Sequence, residues 1–473
     1  MLRDLLDFED AWKRSKGTPP PSALSSLLSF LGNRVGIRYG YDAADFPLGD
    51  PAYAGVHAIA EAMRRAGSIV SMHPVPSLPD EPRIHTWLVQ FRDGEESRAM
   101  GGSPDDDVLA LTIALAEAQE RYLWVFADDY FEHPTIATIR DMAPQGIDPR
   151  RFVGYSALQR AENPALAITD DSSFRWIRGH SFVSEKDLFV PAAAMSRHRT
   201  ARTPGEPQIR KIISTGLATY PDRTEALLRG ALEVIERDAY MITWLNQLTL
   251  PRITLSELAT SDQRLARLLE QCARYRLKTH AVRLLTDAPA HVICVVLEDE
   301  SGLPPRYAFG LKAHRSLPRA VEGALIEALR VRRGIRLRLN APDRPPRPTT
   351  VGHYDRHEYW SEGENHRKLA FFVHGSEERP SPAPWDDDTP AEHWQRIVSW
   401  CKEKGYECVS VPLTRSRMNV TPWHIEMVAI PDLQPIHYNE HLPHIGGARL
   451  SEVPRRFGYA SLAPFTDEPH PFA

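Results

Sequence analysis

The sequence predicts a mixed α/β (α+β) protein. Three observations carry that reading. Long helical patterns alternate with short strand-like runs along the chain, three of the helices are apolar on nearly every side, and no repeat period or heptad run interrupts the mixture.

The elements follow in order. Residues 1–16 read as a short amphipathic helix, followed by a Pro linker from Thr18 to Ser22. Val35 to Tyr39 reads as a strand, and Tyr53 to Ala66 as a helix ended by Gly67. His85 to Phe91 is a strand closed by Asp93-Gly94. Ser103 and Asp105 to Asp107 cap a strong helix, Val108 to Phe126. A second strong helix runs from about Asp222 to Leu245 and a third from about Leu317 to Leu339. Between them lie a helix, Ser256 to Arg276, and strands His280 to Leu285, His291 to Leu297 and Tyr307 to Leu311. Ala341 to Arg367 reads as a long loop, Leu369 to Val373 as a strand, and Ser376 to Pro390 as a second Pro-rich loop. Helix Ala391 to Lys404 and strands Glu407 to Pro412 and His424 to Ile430 complete the pattern, and Pro431 to Ala473 is a mostly irregular tail. The division is therefore an N-terminal segment, 1–84, and a main unit, 85–473, with a Pro-rich insertion at about 341–390.

Composition narrows the function. With 42% hydrophobic and 25% charged residues, the 473-residue chain can bury a sizeable core. No apolar run reaches the ~18–20 residues of a membrane span. Met1 to Lys16 is charged and lacks the apolar centre of a secretory signal. A net charge of −5 argues against nonspecific nucleic-acid binding as the main task. Cys272, Cys294, Cys401 and Cys408 form no C-x-x-C pair, which excludes a zinc ribbon or disulfide scaffold and fits a reducing cytoplasm.

The strong helices share an oddity. The first carries Glu117 and Glu120 at i,i+3, on one face. The second carries Glu225, Glu233 and Glu236 within a sector of about 80°, beside Arg229 and Arg237. The third carries Glu327 beside Arg330 and Arg333, after Glu322. Apolar residues surround these acids on almost all sides, the pattern of buried helices. Buried carboxylates need cations to stay ionised. Arg121, Arg229, Arg237 and Arg330 can supply them, and so can Mg²⁺, which joins carboxylates to nucleotide phosphates. There is no G-x-x-x-x-G-K-[ST], no G-x-G-x-x-G after a strand and no G-x-S-x-G, so any ATP would bind without a P-loop. His437, His441 and His444 have metal-like spacing, but their Pro-rich setting reads as ordinary loop histidines.

Ser214-Thr215-Gly216-Leu217-Ala218, Thr224-Glu225-Ala226 and Glu233-Val234-Ile235-Glu236-Arg237-Asp238-Ala239 resemble the YcaO family, in its azoline-forming cyclodehydratase branch. The resemblance extends to Ala116 through Tyr122, to Ala324 through Ala328, and to Asp170-Asp171, Trp176, Gly179, Val190-Pro191, Gly310 and His314. The ending Pro469-His470-Pro471-Phe472-Ala473 is similar to the Pro-rich tail of that branch. The resemblance covers roughly residues 85–473. It implies a YcaO-type fold with an ATP cleft lined by the three Glu-bearing helices. It implies ATP and Mg²⁺ held by Glu117, Glu120, Glu225, Glu233, Glu236 and Glu327, with Arg237, Arg121 and the Ala473 carboxylate as catalytic groups. The implied reaction phosphorylates backbone amides of a ribosomally made precursor peptide and forms thiazoline or oxazoline from Cys, Ser or Thr. A thioamide- or amidine-forming enzyme and a non-catalytic ATP- or peptide-binding scaffold are the alternatives. Implied partners are the precursor peptide, an E1-like or leader-binding protein, a flavin-dependent azoline dehydrogenase and a second copy of the chain. No nucleic acid or membrane is expected, and residues 1–84 read as too short for an E1-like domain. The sequence departs from the family pattern at Ile113, usually small and hydroxylated, at Gly323, usually Arg, at Arg330, often Gln, and at Ala473, where a final Pro is usual.

Overall fold

The computed structural model describes residues 41–68, 70–92, 96–126, 135–197, 202–339, 355–413 and 423–472. The elements expected at 1–16, 18–22 and 35–39, and the Ala473 carboxylate, lie outside the described residues. In chain order the strands begin with β1 (Ser71–Pro74), β2 (His85–Arg92), β3 (Glu96–Ser103), β4 (Thr135–Thr138), β5 (Ser173–Ser181), β6 (Lys186–Pro191) and β7 (Leu217–Tyr220). They continue with β8 (Arg252–Ile253), β9 (Leu277–Arg283), β10 (His291–Asp299), β11 (Tyr307–His314), β12 (Glu377–Glu378), β13 (Val409–Pro412) and β14 (His424–Ala429). The helices used below are α1 (Ala54–Arg65), α2 (Asp107–Phe126), α3 (Arg223–Leu245), α4 (Leu255–Ser261), α5 (Gln263–Arg274), α6 (Leu317–Leu339), α7 (Asp355–Ser361), α8 (Pro390–Lys404) and α9 (Arg449–Arg456).

The strands form three sheets, ordered β1-β2-β3, β11-β10-β9-β8-β12 and β4-β5-β13-β14-β7, with β6 paired to β5. Strands β3, β7 and β11 each end a sheet. A sheet edge presents unpaired N–H and C=O groups that must find partners. Three long helices cover these edges, and each spans two sheets. Helix α2 packs on β2 and β3 and reaches β7; α3 packs on β7 and β14 and reaches β11; α6 covers β10 and β11 and reaches β3.

Sheet period decides how α3 and α6 share one strand. Along β10 and β11, Cys294, Val296, Phe309 and Leu311 join the core under α3, whereas Ile293, Val295, Leu297 and Ala308 join the core under α6. Successive side chains point to opposite faces, so the two helices approach β11 from opposite sides. Glycine permits the closest approaches. A Cβ at Gly101 in β3 would lie 2.0 Å from the Ala110 carbonyl oxygen of α2, and one at Gly310 in β11 would lie 2.1 Å from that of Ala324 in α6. Any side chain there would push the helix off the strand.

Several expectations need correction. The helix expected over Ser256 to Arg276 is two, α4 and α5, because Asp262 adopts extended geometry and its carboxylate caps the Arg264 and Leu265 amides. Leu369 to Val373 is not a strand but the end of a 3₁₀ helix, Asn365–Phe372. Leu369 and Phe372 are both buried, and three residues per turn places them on one side. The loop expected from Ala341 to Arg367 contains α7, and the irregular tail contains α9. Strand β3 was not apparent in the sequence, because Gly101-Gly102 inside it weakens the strand pattern.

Candidate functional site

Each bridging helix carries an i,i+3 pair whose members reach different sheet edges. On α2, Glu117 accepts the Met100 amide of β3 at 3.1 Å and Glu120 accepts the Thr219 amide of β7 at 2.5 Å. On α3, Glu233 accepts the Gly216 amide just before β7 at 3.0 Å, and Glu236 accepts the Ala313 amide of β11 at 2.6 Å. On α6, Glu327 accepts the Leu311 amide of β11 at 2.6 Å, while Arg330 donates to the Met100 carbonyl of β3 at 2.5 Å. Residues three apart on a helix are neighbours, yet they diverge by about 60° around its axis. One turn of each helix therefore fastens two sheets. Three such turns together tie the edges of β3, β7 and β11.

The acids outnumber their cations. Arg237 lies 3.3 Å from Glu233 and 3.2 Å from Glu236. Arg121 holds Glu117 at 2.6 Å and also donates to the Arg98 carbonyl. Burial, with Glu117 and Glu233 close by, pushes Glu120 up to about 8. Burial also raises Glu233 and Glu327, against the pull of Arg237 on both. The same acids hold Arg237 firmly charged, although burial opposes it. Glu225 stands apart from these five. It sits in the first turn of α3 and pairs with Arg229, 3.4 Å away.

Three further features stand here, of which the sequence singles out only the tail. The first is Lys312, whose Cγ would stand 2.9 Å from a Cβ at Gly323, so its stem crosses the place where a side chain is missing. Its charge lowers Glu233. The second is the tail. His470 and Phe472 are buried, the Trp360 indole donates to the Pro469 carbonyl, and the Arg237 guanidinium lies 4.3 Å from the Phe472 ring centroid. The third is Tyr438, whose surroundings include Arg237, Glu233 and Glu327. Strand–helix sequence patterns do not register contacts made across 100 or more residues. Of the loop histidines, His437 and His444 are buried and His441 is exposed. Among the described residues no three His, Cys, Asp or Glu side chains stand close enough to hold a metal ion by themselves.

The structure is an α/β fold in which glutamates from three helices meet the edges of three sheets. The family model described as YcaO cyclodehydratase, ATP- and Mg²⁺-binding, matches residues 101–433. The chain belongs to the YcaO family. Its fold is similar to that of a heterocyclase solved in complex with substrate and cofactor, with a TM-score of 0.71 and 18% identity over 88% of this chain and 57% of that one. It is also similar to YcaO from Methanopyrus kandleri bound with AMPPCP and Mg²⁺ (TM-score 0.58, 16% identity, 82% and 92% covered). The E. coli microcin synthetase McbBCD complex has a similar chain (TM-score 0.56, 16% identity, 77% and 88% covered). A curated relative, an uncharacterized protein in the tfuA 3' region of Rhizobium leguminosarum bv. trifolii, is 26% identical over 236 residues, 47% of this chain. The chain matches half the length of that relative.

Proposed function

We propose that the protein is an ATP- and Mg²⁺-dependent cyclodehydratase. It activates backbone amides of a ribosomally made precursor peptide by phosphorylation and forms thiazoline or oxazoline rings from Cys, Ser or Thr. The observation that carries this reading is the set Glu117, Glu120, Glu233, Glu236 and Glu327, each tied by one oxygen to an edge amide and together outnumbering the guanidiniums that pair with them.

The donor set fits Mg²⁺ with a nucleotide. Mg²⁺ keeps several waters and takes one or two carboxylates together with phosphate oxygens, so it needs no ready-made cage. Of the five, Glu120 and Glu327 keep a second carboxylate oxygen for such a contact, while the second oxygens of Glu117, Glu233 and Glu236 already face Arg121 or Arg237. Bound Mg²⁺ would neutralise phosphate charge during transfer. Arg237 and Arg121 pair with these acids and, in this reading, would also stabilise the transferred group, with the charge of Lys312 as a further cation near Glu233. Glu225 belongs to the nucleotide site only if Arg229 yields its carboxylate. The reading includes a leader-binding partner, which would raise the effective concentration of the peptide.

The test is the mass of a precursor peptide after incubation with the protein, ATP and Mg²⁺. Loss of one water per ring, abolished by Glu233→Gln, is expected. Exchange of oxygen for sulfur would instead establish thioamide formation. No mass change and no ATP hydrolysis would leave a scaffold.

A further inference from the structure

His437 and His444 face each other with ring centroids 5.9 Å apart, yet their bonding differs. His444 is fully engaged. Its Nε2 accepts the Lys211 amide at 3.2 Å, its Nδ1 lies 3.2 Å from the Ile436 carbonyl, and burial holds it neutral. His437 is engaged on one side only. Its Nε2 lies 3.2 Å from Glu440, whose carboxylate also pairs with buried Arg356. Its Nδ1 is buried without a hydrogen-bond partner among the described residues. A carboxylate can only accept from Nε2–H, so the neutral ring keeps its lone pair on Nδ1. An imidazole oriented by an acid through one nitrogen, with the other nitrogen unbonded, has the form of a general base.

The surroundings give that base something to act on. His437 lines a cavity of about 100 Å³ with Tyr155, Lys211, Tyr438, Asn439 and His444. Such a space holds several waters or one small polar side chain. Tyr438 belongs to the cavity wall and interacts with Arg237, Glu233 and Glu327. The His470 ring of the tail lies 5.8 Å from that of His437 and 5.4 Å from that of Tyr438, and Phe472 continues to Arg237.

We propose that this cavity receives the nucleophilic side chain of the peptide and that His437, oriented by Glu440, takes its proton. The inference rests on the cyclodehydratase reading and names the base of that reaction. The S–H or O–H bond of Cys, Ser or Thr breaks, and its proton passes to His437 Nδ1. The sulfur or oxygen lone pair forms the bond to the preceding carbonyl carbon. The C=O π pair moves onto oxygen, which then takes the γ-phosphoryl group as the bond to ADP breaks. The titratable and charged groups facing His437 are Glu440, Arg356, His444, His470, Tyr438 and Lys211.

The full chain is assayed with ATP, Mg²⁺ and a saturating synthetic peptide bearing one Gly-Cys site, or its Gly-Ser twin. The parent protein removes one water, and its rate falls in acid along a limb that His437→Gln abolishes. His437→Gln slows ring formation about a hundredfold, while affinity for a non-hydrolysable ATP analogue changes less than about twofold. The loss is greater with Ser than with Cys, because a thiol gives up its proton more easily. Glu440→Gln keeps the volume and slows the reaction about tenfold; it decides the matter if His437→Gln does not fold. Unchanged rates and pH profiles in both variants overturn the dyad and leave the cyclodehydratase intact. Absence of water loss with the parent protein overturns both.

Discussion

On α6, Glu327 and Arg333 stand six residues apart in opposite surroundings. Arg333 donates to Glu81 at 2.5 Å, to Thr86 at 2.9 Å and to Ser77 at 2.9 Å. Its neighbour Arg332 donates to Asp299 at 2.5 Å, and Arg336 to Asp80 at 2.6 Å. Every one of these acids has a guanidinium. Around Glu327 the balance is reversed, and buried carboxylates share Arg237. Helix α3 repeats the contrast, because Asp238, two residues past Glu236, is held by Arg449 at 2.7 Å. The paired clusters bind sheets and loops together permanently. The unpaired one stores a demand for positive charge. Buried ions alone therefore do not mark a function; their imbalance does.

The comparison breaks most visibly at the paired cluster. Arg333→Ala leaves Glu81 buried without its main partner and should cost about 3–5 kcal/mol, read by denaturant unfolding. Glu327→Gln should do the opposite: unfolding free energy unchanged or raised, with ATP affinity lowered about tenfold or more, on the scale of a lost charge-assisted bond. A large stability loss from Glu327→Gln would erase the distinction.

Ligand addition comes next. Mg²⁺ with a non-hydrolysable ATP analogue at 100 times its dissociation constant should stabilise the parent protein by about 2.7 kcal/mol. The same addition to Glu233→Gln, at the same concentration, should give a smaller shift in melting temperature.

Acidity sharpens the contrast further. Glu120, pushed up to about 8, holds a proton in the fold that the unfolded chain releases near 4.5. Its contribution to stability therefore falls as pH rises from about 4.5 to 8, by at most ~1.4 kcal/mol per unit. Glu120→Gln should flatten that alkaline loss. Buried His393, in α8, runs the other way. Burial lowers it to about 4 from an ordinary 6.5, so its contribution is complete above 6.5 and is lost as pH falls toward 4. Thermal unfolding of the ligand-free protein across pH 4–9 reads both limbs.

The smallest effect concerns Lys312. Lys312→Met should weaken ATP binding about fivefold, roughly 1 kcal/mol, and leave ligand-free stability unchanged. No change in affinity would mean that its stem merely covers Gly323.

Much of this site was legible in the sequence. Helical period exposed α2, α3 and α6, and i,i+3 spacing exposed Glu117 with Glu120 and Glu233 with Glu236. What the spacing could not show is that the two members of each pair part company and cap different sheets. That depends on β3, interrupted by Gly101-Gly102, and on the four-residue β7, neither of which carries much strand signal. Nor could period reveal that Arg330 takes the second place in the α6 pair, or that Lys312 crosses Gly323. The tail read as mostly irregular, and its described residues after α9 carry no helix or strand; what period could not show is that His470 and Phe472 are buried, because burial is decided by partners distant in sequence.

The edge amides have a consequence for motion. Met100, Thr219, Gly216, Ala313 and Leu311 each place an N–H on a glutamate rather than on a neighbouring strand. Such protons exchange with solvent whenever the carboxylate lets go, without any sheet coming apart. A ligand that draws those carboxylates toward its own cations would loosen some of these amides while tightening the helices around it. Hydrogen–deuterium exchange at five scattered backbone positions would thus report, in one experiment, how three separate sheets respond to a single occupant.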